Sequence, residues 1–366
     1  MHQLDCDETK PACQKCLNGD FQCSYLDNQS SSREPSIHTP GSAAAVSSVA
    51  DSTLWSAEPQ GPFPGNLNMI HLKLLHHLET GGPLTTVIEA DEEHPGDSMQ
   101  ETIRYALTNP YLMHEILSFS ALHLSLVHPA ERERWKLQST ELQTNALSLF
   151  NSMDDDSRAD FVPCFLFASI LGSHSMHDVL SSGSDELGPF LDRFVEYLQI
   201  VRGVRVLLTD SNWNSLWETP FRYLIPTGNR IPDPSTACAP ELDVLASLLQ
   251  TADISSSTMQ VYQQVLNQLK SAFQSQAMIV DGPSKATAIH AIFAWPVLAP
   301  PEYANLLSRR QPESLTILAH YAVLLHYHRD VWLFGDGGRR LIESITRHLG
   351  AFWVPWLAWP ISVLNS

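Results

Sequence analysis

The sequence predicts an all-α protein: a multi-helix body (67–366) behind a disordered linker (27–66) and a small, truncated cysteine-bearing module (1–26). Three observations predict the helical class. Apolar residues recur at helical spacing in one segment after another from Leu67 onward. Sustained apolar/polar alternation is absent, so strands should be scarce. Asn, Asp, Pro and Gly stand where helices start and stop. Of 366 residues, 43% are hydrophobic, enough for a substantial core. Only 17% are charged and the net charge is −18, which argues against broad adhesion of the body to nucleic acid or anionic membrane. Ser, Ala, Pro and Gly supply 22 of the 36 residues from 30 to 65, a composition that buries too little to offset its ordering entropy.

The elements follow in order. Asn109-Pro110 is a helix start, with Asn at the cap and Pro at the first position. Leu112, Ile116, Phe119 and Leu126 follow at helical spacing, with Met113, Leu117 and Leu124 beside them; so wide a stripe means burial around much of the helix. Trp135, Leu142, Ala146 and Leu149 mark the next helix, residues 161–171 read as an interior helix, and 190–208 continue the theme. Breakers from 219 to 240 predict a long loop. Helices resume at 241–249 and 257–280, and the segment 286–295 should end at Pro296. Pro312 opens a helix whose Leu315, Leu318, Ala322 and Leu325 share a face. Residues 331–334 stop at Gly335-Asp336-Gly337-Gly338, and Asp336 caps a helix bearing Leu341, Ile345 and Leu349. The apolar stretch 351–364 contains Pro355 and Pro360, is shorter than the ~20 residues a bilayer needs, and reads as buried core.

Cys6, Cys13, Cys16 and Cys23 are spaced C-x6-C-x2-C-x6-C, close enough to converge on zinc. Only Cys164 and Cys238 lie beyond them, which suits a reducing compartment, and no apolar run opens the chain as a secretory signal would. Lys10 and Lys15 face Asp5, Asp7, Glu8 and Asp20 within the module, a net negative charge and the wrong sign for gripping a duplex.

This stretch resembles the back half of the fungal binuclear zinc-cluster transcription regulators, whose pattern is C-x2-C-x6-C-x(5-12)-C-x2-C-x(6-9)-C. Cys6, Cys13, Cys16 and Cys23 match the third to sixth ligands, and Cys6-Asp7-Glu8, Lys10-Pro11 and Cys23-Ser24-Tyr25 are typical of it. Where the family carries two more cysteines and a basic helix, this chain has Met1-His2-Gln3-Leu4-Asp5. Three readings stay open: four thiolates closing on one zinc, a metal-free stub without the energy that folds such modules, or an upstream coding segment that completes the cluster.

The body is similar to the regulatory half of the same family, its sterol-uptake-control type in particular. The residues that carry this are His71-Leu72-Lys73-Leu74-Leu75-His76-His77, the run from Asn109-Pro110-Tyr111 through Ser120-Ala121-Leu122-His123-Leu124, Phe293-Ala294-Trp295-Pro296, Pro312-Glu313-Ser314-Leu315, residues 332–341, and Leu357-Ala358-Trp359-Pro360. The resemblance implies an all-α domain whose hydrophobic interior, in some relatives, binds a sterol. It also implies a nuclear protein, shuttling from the cytoplasm, with DNA as partner where the cluster is complete, a sterol or lipid ligand, a homodimer and no membrane span.

Candidate ligand contacts are Trp353, Trp356 and Trp359, at i, i+3 and i+6 beside Phe352, which read either as a pocket wall or as core packing. The resemblance adds Trp332, Gly335, Gly337 and Gly338 on a loop by the ligand cavity. That glycine run is no phosphate loop, because Arg340 stands where G-x-G-x-x-G needs glycine. His114-Glu115 lacks the second His of a zinc-hydrolase helix, Ser118 standing there, and the pairs His174/His177 and His326/His328 lack a third ligand. No reactive constellation points to an enzyme. The functional expectation is an RNA polymerase II-type, sequence-specific DNA-binding regulator; the alternative is a DNA-binding-deficient relative acting as a ligand-binding or dimerising decoy.

Overall fold

Asn68 starts the first helix among the described residues. Its Oδ1 accepts from the backbone N–H groups of Ile70 (3.0 Å) and His71 (3.3 Å), donors that an opening turn leaves unpaired. That helix, α1 (Met69–Gly81), stops at Gly82 in the left-handed region, φ 59°. The computed structural model describes residues 68–88, 97–154, 160–182, 186–207, 216, 219–221, 240–277 and 285–365, all within one unit, Phe63–Ser366. The cysteine segment 1–26, the linker 27–66 and most of the expected loop 219–240 lie outside the described residues.

The chain continues through α2 (Thr85–Ile88), α3 (Asp97–Thr108), α4 (Pro110–Val127), α5 (Arg132–Asn151), α6 (Phe161–Ser181) and α7 (Leu187–Leu207). Then follow α8 (Pro240–Thr251), α9 (Ser256–Ala277), α10 (Lys285–Leu298), α11 (Pro301–Ser308), α12 (Pro312–Tyr327), α13 (Gly337–Leu349) and α14 (Val354–Val363). No strand occurs among the described residues, so the all-α expectation holds.

Two helices organise the packing. In the first half, α4 lies against α1, α3, α5 and α6. The wide stripe is real: Leu112, Ile116, Phe119 and Leu124 are all fully buried. Small hydroxyls let the helices approach. Ser118 Oγ donates to the Ser139 carbonyl of α5 (2.8 Å), and Ser139 Oγ donates back to the Ser118 carbonyl (2.9 Å). Ser120 Oγ ties α4 to α1 through the Leu74 carbonyl (2.8 Å). In the second half, α12 is buried at every residue from 314 to 326, covered by α9, α11, α13 and α14. The one-face expectation for α12 was too narrow. The halves meet where α7 packs on α10, α11 and α13, and α6 on α13.

Two expectations need correction. The helix expected to end at Pro296 runs through it to Leu298. Proline removes the N–H that would bond the Ile292 carbonyl. Tyr321 of α12 supplies the replacement, its hydroxyl donating to Ile292 O at 3.1 Å. The stretch 351–364 is not core. Only Leu357, Pro360 and Val363 of α14 are buried, and Phe352 before it is 80% exposed. One face of α14 covers α12; the rest turns outward.

The Tyr321–Ile292 bond predicts a specific coupling. Tyr321→Phe should cost about 1–3 kcal/mol by leaving a buried carbonyl unpaired. The loss should shrink in a Pro296→Ala background, where a backbone N–H is again available to that carbonyl. Urea melts of the four proteins check this; equal losses in both backgrounds would show that the hydroxyl does not hold Ile292.

Candidate functional site

Residues 328–336, between α12 and α13, form a series of turns rather than a helix. They carry Trp332 into the first half of the molecule. Its ring centroid lies 5.0 Å from Phe119 and 5.0 Å from His123 on α4, and 5.5 Å from His177 on α6. Its indole Nε1–H is buried and has no hydrogen-bond partner. Behind it, His123 stacks on His77 of α1 (centroids 5.1 Å, planes 19° apart), with His123 Nδ1 2.9 Å from His77 Nε2. His177 Nδ1–H donates to the carbonyl of Leu333, the residue after Trp332, at 3.3 Å. Burial pushes His77 and His177 down to about 4, and their histidine neighbours add to it; burial also lowers His123.

The glycines of this segment do separate jobs. Gly335 adopts φ 44°, which favours glycine. A Cβ on Gly337 would stand 2.8 Å from Leu180 Cβ, so glycine lets α13 close on α6. A Cβ on Gly338 would stand 2.5 Å from His326 N and 2.6 Å from Ala322 O, against the backbone of α12. Asp336 takes the N-cap position of α13, and its carbonyl accepts from Arg340 N (3.0 Å), but its side chain makes no cap bond. The crevice beside Gly337, lined by Leu180, Phe190 and Arg340 among others, holds about 10 Å³, room for one water and far too little for a lipid.

The tryptophans of the chain's end divide. Trp359 points inward, against Phe273 of α9 (5.2 Å) and His320 of α12 (5.6 Å). Trp353 and Trp356 pair with each other at 4.9 Å, half-buried, beside exposed Phe352. No ring contact among the described residues joins Trp332 to these three. The structure therefore places Trp332 and Gly335 on one loop, with Gly337 and Gly338 opening α13 after it, and sets Trp353 and Trp356 apart.

Sequence reasoning missed a buried polar chain. Glu115, fully buried on α4, has Oε1 3.3 Å from His174 Nδ1 on α6. His174 Nε2 lies 3.4 Å from Ser139 Oγ. The serine hydrogen already goes to the Ser118 carbonyl, so Ser139 accepts and Nε2 carries a hydrogen. A proton must then sit between Nδ1 and Oε1. Burial alone would lower His174, but its hydrogen bond to Glu115 and that charge outweigh it and raise the imidazole above its ordinary value. The order Ser–His–Glu copies a hydrolase triad in outline. Here the hydroxyl is 3% exposed and its hydrogen is committed to a carbonyl, so nothing frees it to attack a substrate. The available signal was a glutamate inside an apolar helix, which requires a partner. Its partner is 59 residues away. Among the described residues no group of His, Cys, Asp or Glu is placed to hold a metal ion.

No protein-family model matches the chain. A protein of Gibberella zeae named "Zn(2)-C6 fungal-type transcription factor" is 24% identical over 317 residues, covering 81% of this chain and 62% of that protein. The chain thus spans less than two thirds of that relative's length, and it is similar to a fungal transcription factor over most of its own. No helix among the described residues is long and apolar enough to cross a membrane.

The Glu115–His174 pair has a definite pH signature. A histidine raised on folding contributes stability that is complete below its unfolded value near 6.5 and lost as pH rises through the folded value. Glu115→Gln should therefore cost about 3 kcal/mol at pH 6 and clearly less at pH 9. Denaturant titrations at both values check it; a loss that grows with pH would reverse the assignment.

Proposed function

We propose that the chain is a transcription regulator of the fungal binuclear zinc-cluster type, with a helical body that senses a sterol or other lipid. The observation that supports this most is the match to the Gibberella zeae transcription factor along 81% of the chain. The four cysteines fit it in part. Cys6, Cys13, Cys16 and Cys23 offer four thiolates, the donor set that zinc prefers, whereas two zinc ions in a shared cluster take six. When bound, the metal folds the module and presents it to DNA; the body, −18 in net charge with the rest of the chain, has the wrong sign for phosphate contact. The protein works in the nucleus, shuttles from the cytoplasm and pairs as a homodimer.

In the lipid-sensing part, Trp332, Gly335, Gly337 and Gly338 form the responsive loop, and Trp353, Trp356 and Trp359 offer flat rings to a fused-ring ligand. The unpartnered indole N–H of Trp332 and the half-buried Trp353–Trp356 pair support this. A second reading is a decoy that binds ligand or dimerises without gripping DNA. The acidic balance of residues 1–26 favours it.

Metal analysis with a DNA mobility-shift assay separates the two. About two zinc ions per chain with retarded DNA supports the regulator; none or one, without a shift, supports the decoy. Titration with dehydroergosterol, read by energy transfer from tryptophan, checks the lipid part. Saturable transfer that weakens in Trp353→Phe/Trp356→Phe is expected, and no transfer overturns it.

A further inference from the structure

We propose that residues 328–336 are an acid-released latch, held closed by three neutral histidines, His77, His123 and His177, gathered around and behind Trp332. This stands on the geometry of the loop and not on the DNA or lipid readings.

The latch joins the two halves of the molecule. It springs from α12, yet its tryptophan packs on α4 and α6, and its Leu333 carbonyl is held by His177. Apart from Phe119, every aromatic neighbour of Trp332 is an imidazole or rests on one. In the His77–His123 contact, one ring nitrogen donates and the other accepts. A single added proton leaves that bond intact, at the cost of a buried cation. A second leaves two N–H groups facing each other 2.9 Å apart, and the pair must separate. His123 then pulls away from Trp332. A proton on His177 places another positive charge beside the indole.

The charged groups that bear on His77, His123 and His177 among the described residues work in the same direction. His128 stands by His77 and His123, and His76 by His77. His174 and Lys136 stand by His177. All are basic. Two carboxylates of this region, Glu115 and Asp178, direct their charge at His174, and Asp178 also at Lys136. On the latch side, Arg329, Asp336 and Arg339 cluster near His326, at the end of α12. A histidinium on Trp332 gains some attraction from the ring face. The burial that holds His77 and His177 near 4 shows that desolvation outweighs it.

The sign follows. All three rings are neutral at pH 7. As pH falls from 6.5 toward 4, the released loop takes up protons that the closed loop refuses. Each linked proton shifts the equilibrium about tenfold per pH unit, so two shift it about a hundredfold.

Hydrogen exchange by mass spectrometry, corrected for intrinsic rates, tests this on the full chain at pH 7 and pH 5. The peptide over 328–336 should open at least about tenfold more at pH 5, while the peptide over 314–326 stays protected. In His77→Gln/His123→Asn/His177→Gln the pH dependence should fall below about twofold, since the linked protons are gone. A triple variant already open at both pH values supports the latch too, because the rings then hold it. Equal protection of 328–336 at both pH values in the wild type overturns it. So does opening of 314–326 to the same extent, which is global unfolding.

Discussion

A helix with no face in water must pair its polar groups within the protein or lose several kcal/mol for each orphan. α12 lives under that constraint from 314 to 326. Its own polar side chains turn back onto the preceding turn: Ser314 Oγ donates to Gln311 O, Thr316 Oγ1 to Pro312 O, and His320 Nδ1–H to Thr316 O. Tyr321 reaches outward instead, to the carbonyl that Pro296 leaves open in α10, while His326 Nδ1 stays buried without a partner. Trp295 stacks on the same tyrosine at 4.3 Å and donates its Nε1–H to Val265 O of α9. One buried phenol thus ties three helices. Close covering by α13 requires Gly338, because nothing with a Cβ fits over His326 N and Ala322 O. The turn from α12 into α13, and so the position of Trp332, depends on that approach.

The first half is built to a different plan. Around α4 the interior is polar as well as apolar, with serines, a glutamate and several histidines shut away from water. Two kinds of histidine result. Those against aromatic rings and carbonyls, such as His77, His177 and His320, are held neutral by burial. His174 is raised instead, because Glu115 stands against it with one oxygen bonded and the other, Oε2, unpaired. A core of this kind has less margin than one of leucines, since every proton gained or lost changes what is satisfied. The Trp332 loop sends its ring into this polar interior.

Much of the fold was legible because its punctuation is local. Asn109-Pro110 and Pro312 act within a turn of themselves, and the helices begin there. What failed was non-local. Pro296 reads as a stop unless one knows that a tyrosine 29 residues from Ile292 in numbering pairs the carbonyl it leaves open. The apolar stretch 351–364 reads as core because composition does not say how much surface its neighbours leave to be covered. Glu115 was judged only against a metal motif, and the residue that explains it lies on another helix. The glycines 337 and 338 were read as a loop or a helix stop, and they are contact points between helices. The cysteines were the plainest chemistry in the sequence and lie outside the described residues.

Electrostatics then divides the labour. Duplex binding is driven by basic charge and counterion release. This chain carries 22 basic side chains against 40 acidic ones, and only two basic ones lie among residues 1–26. Affinity for DNA in such a protein has to be concentrated in a small basic module, and the acidic body adds repulsion at any range shorter than the Debye length, ~8 Å at physiological salt. Within the body, the Trp332 loop bridges both halves: it leads into α13, where Gly338 packs on α12, and its ring and the Leu333 carbonyl meet histidines on α4 and α6.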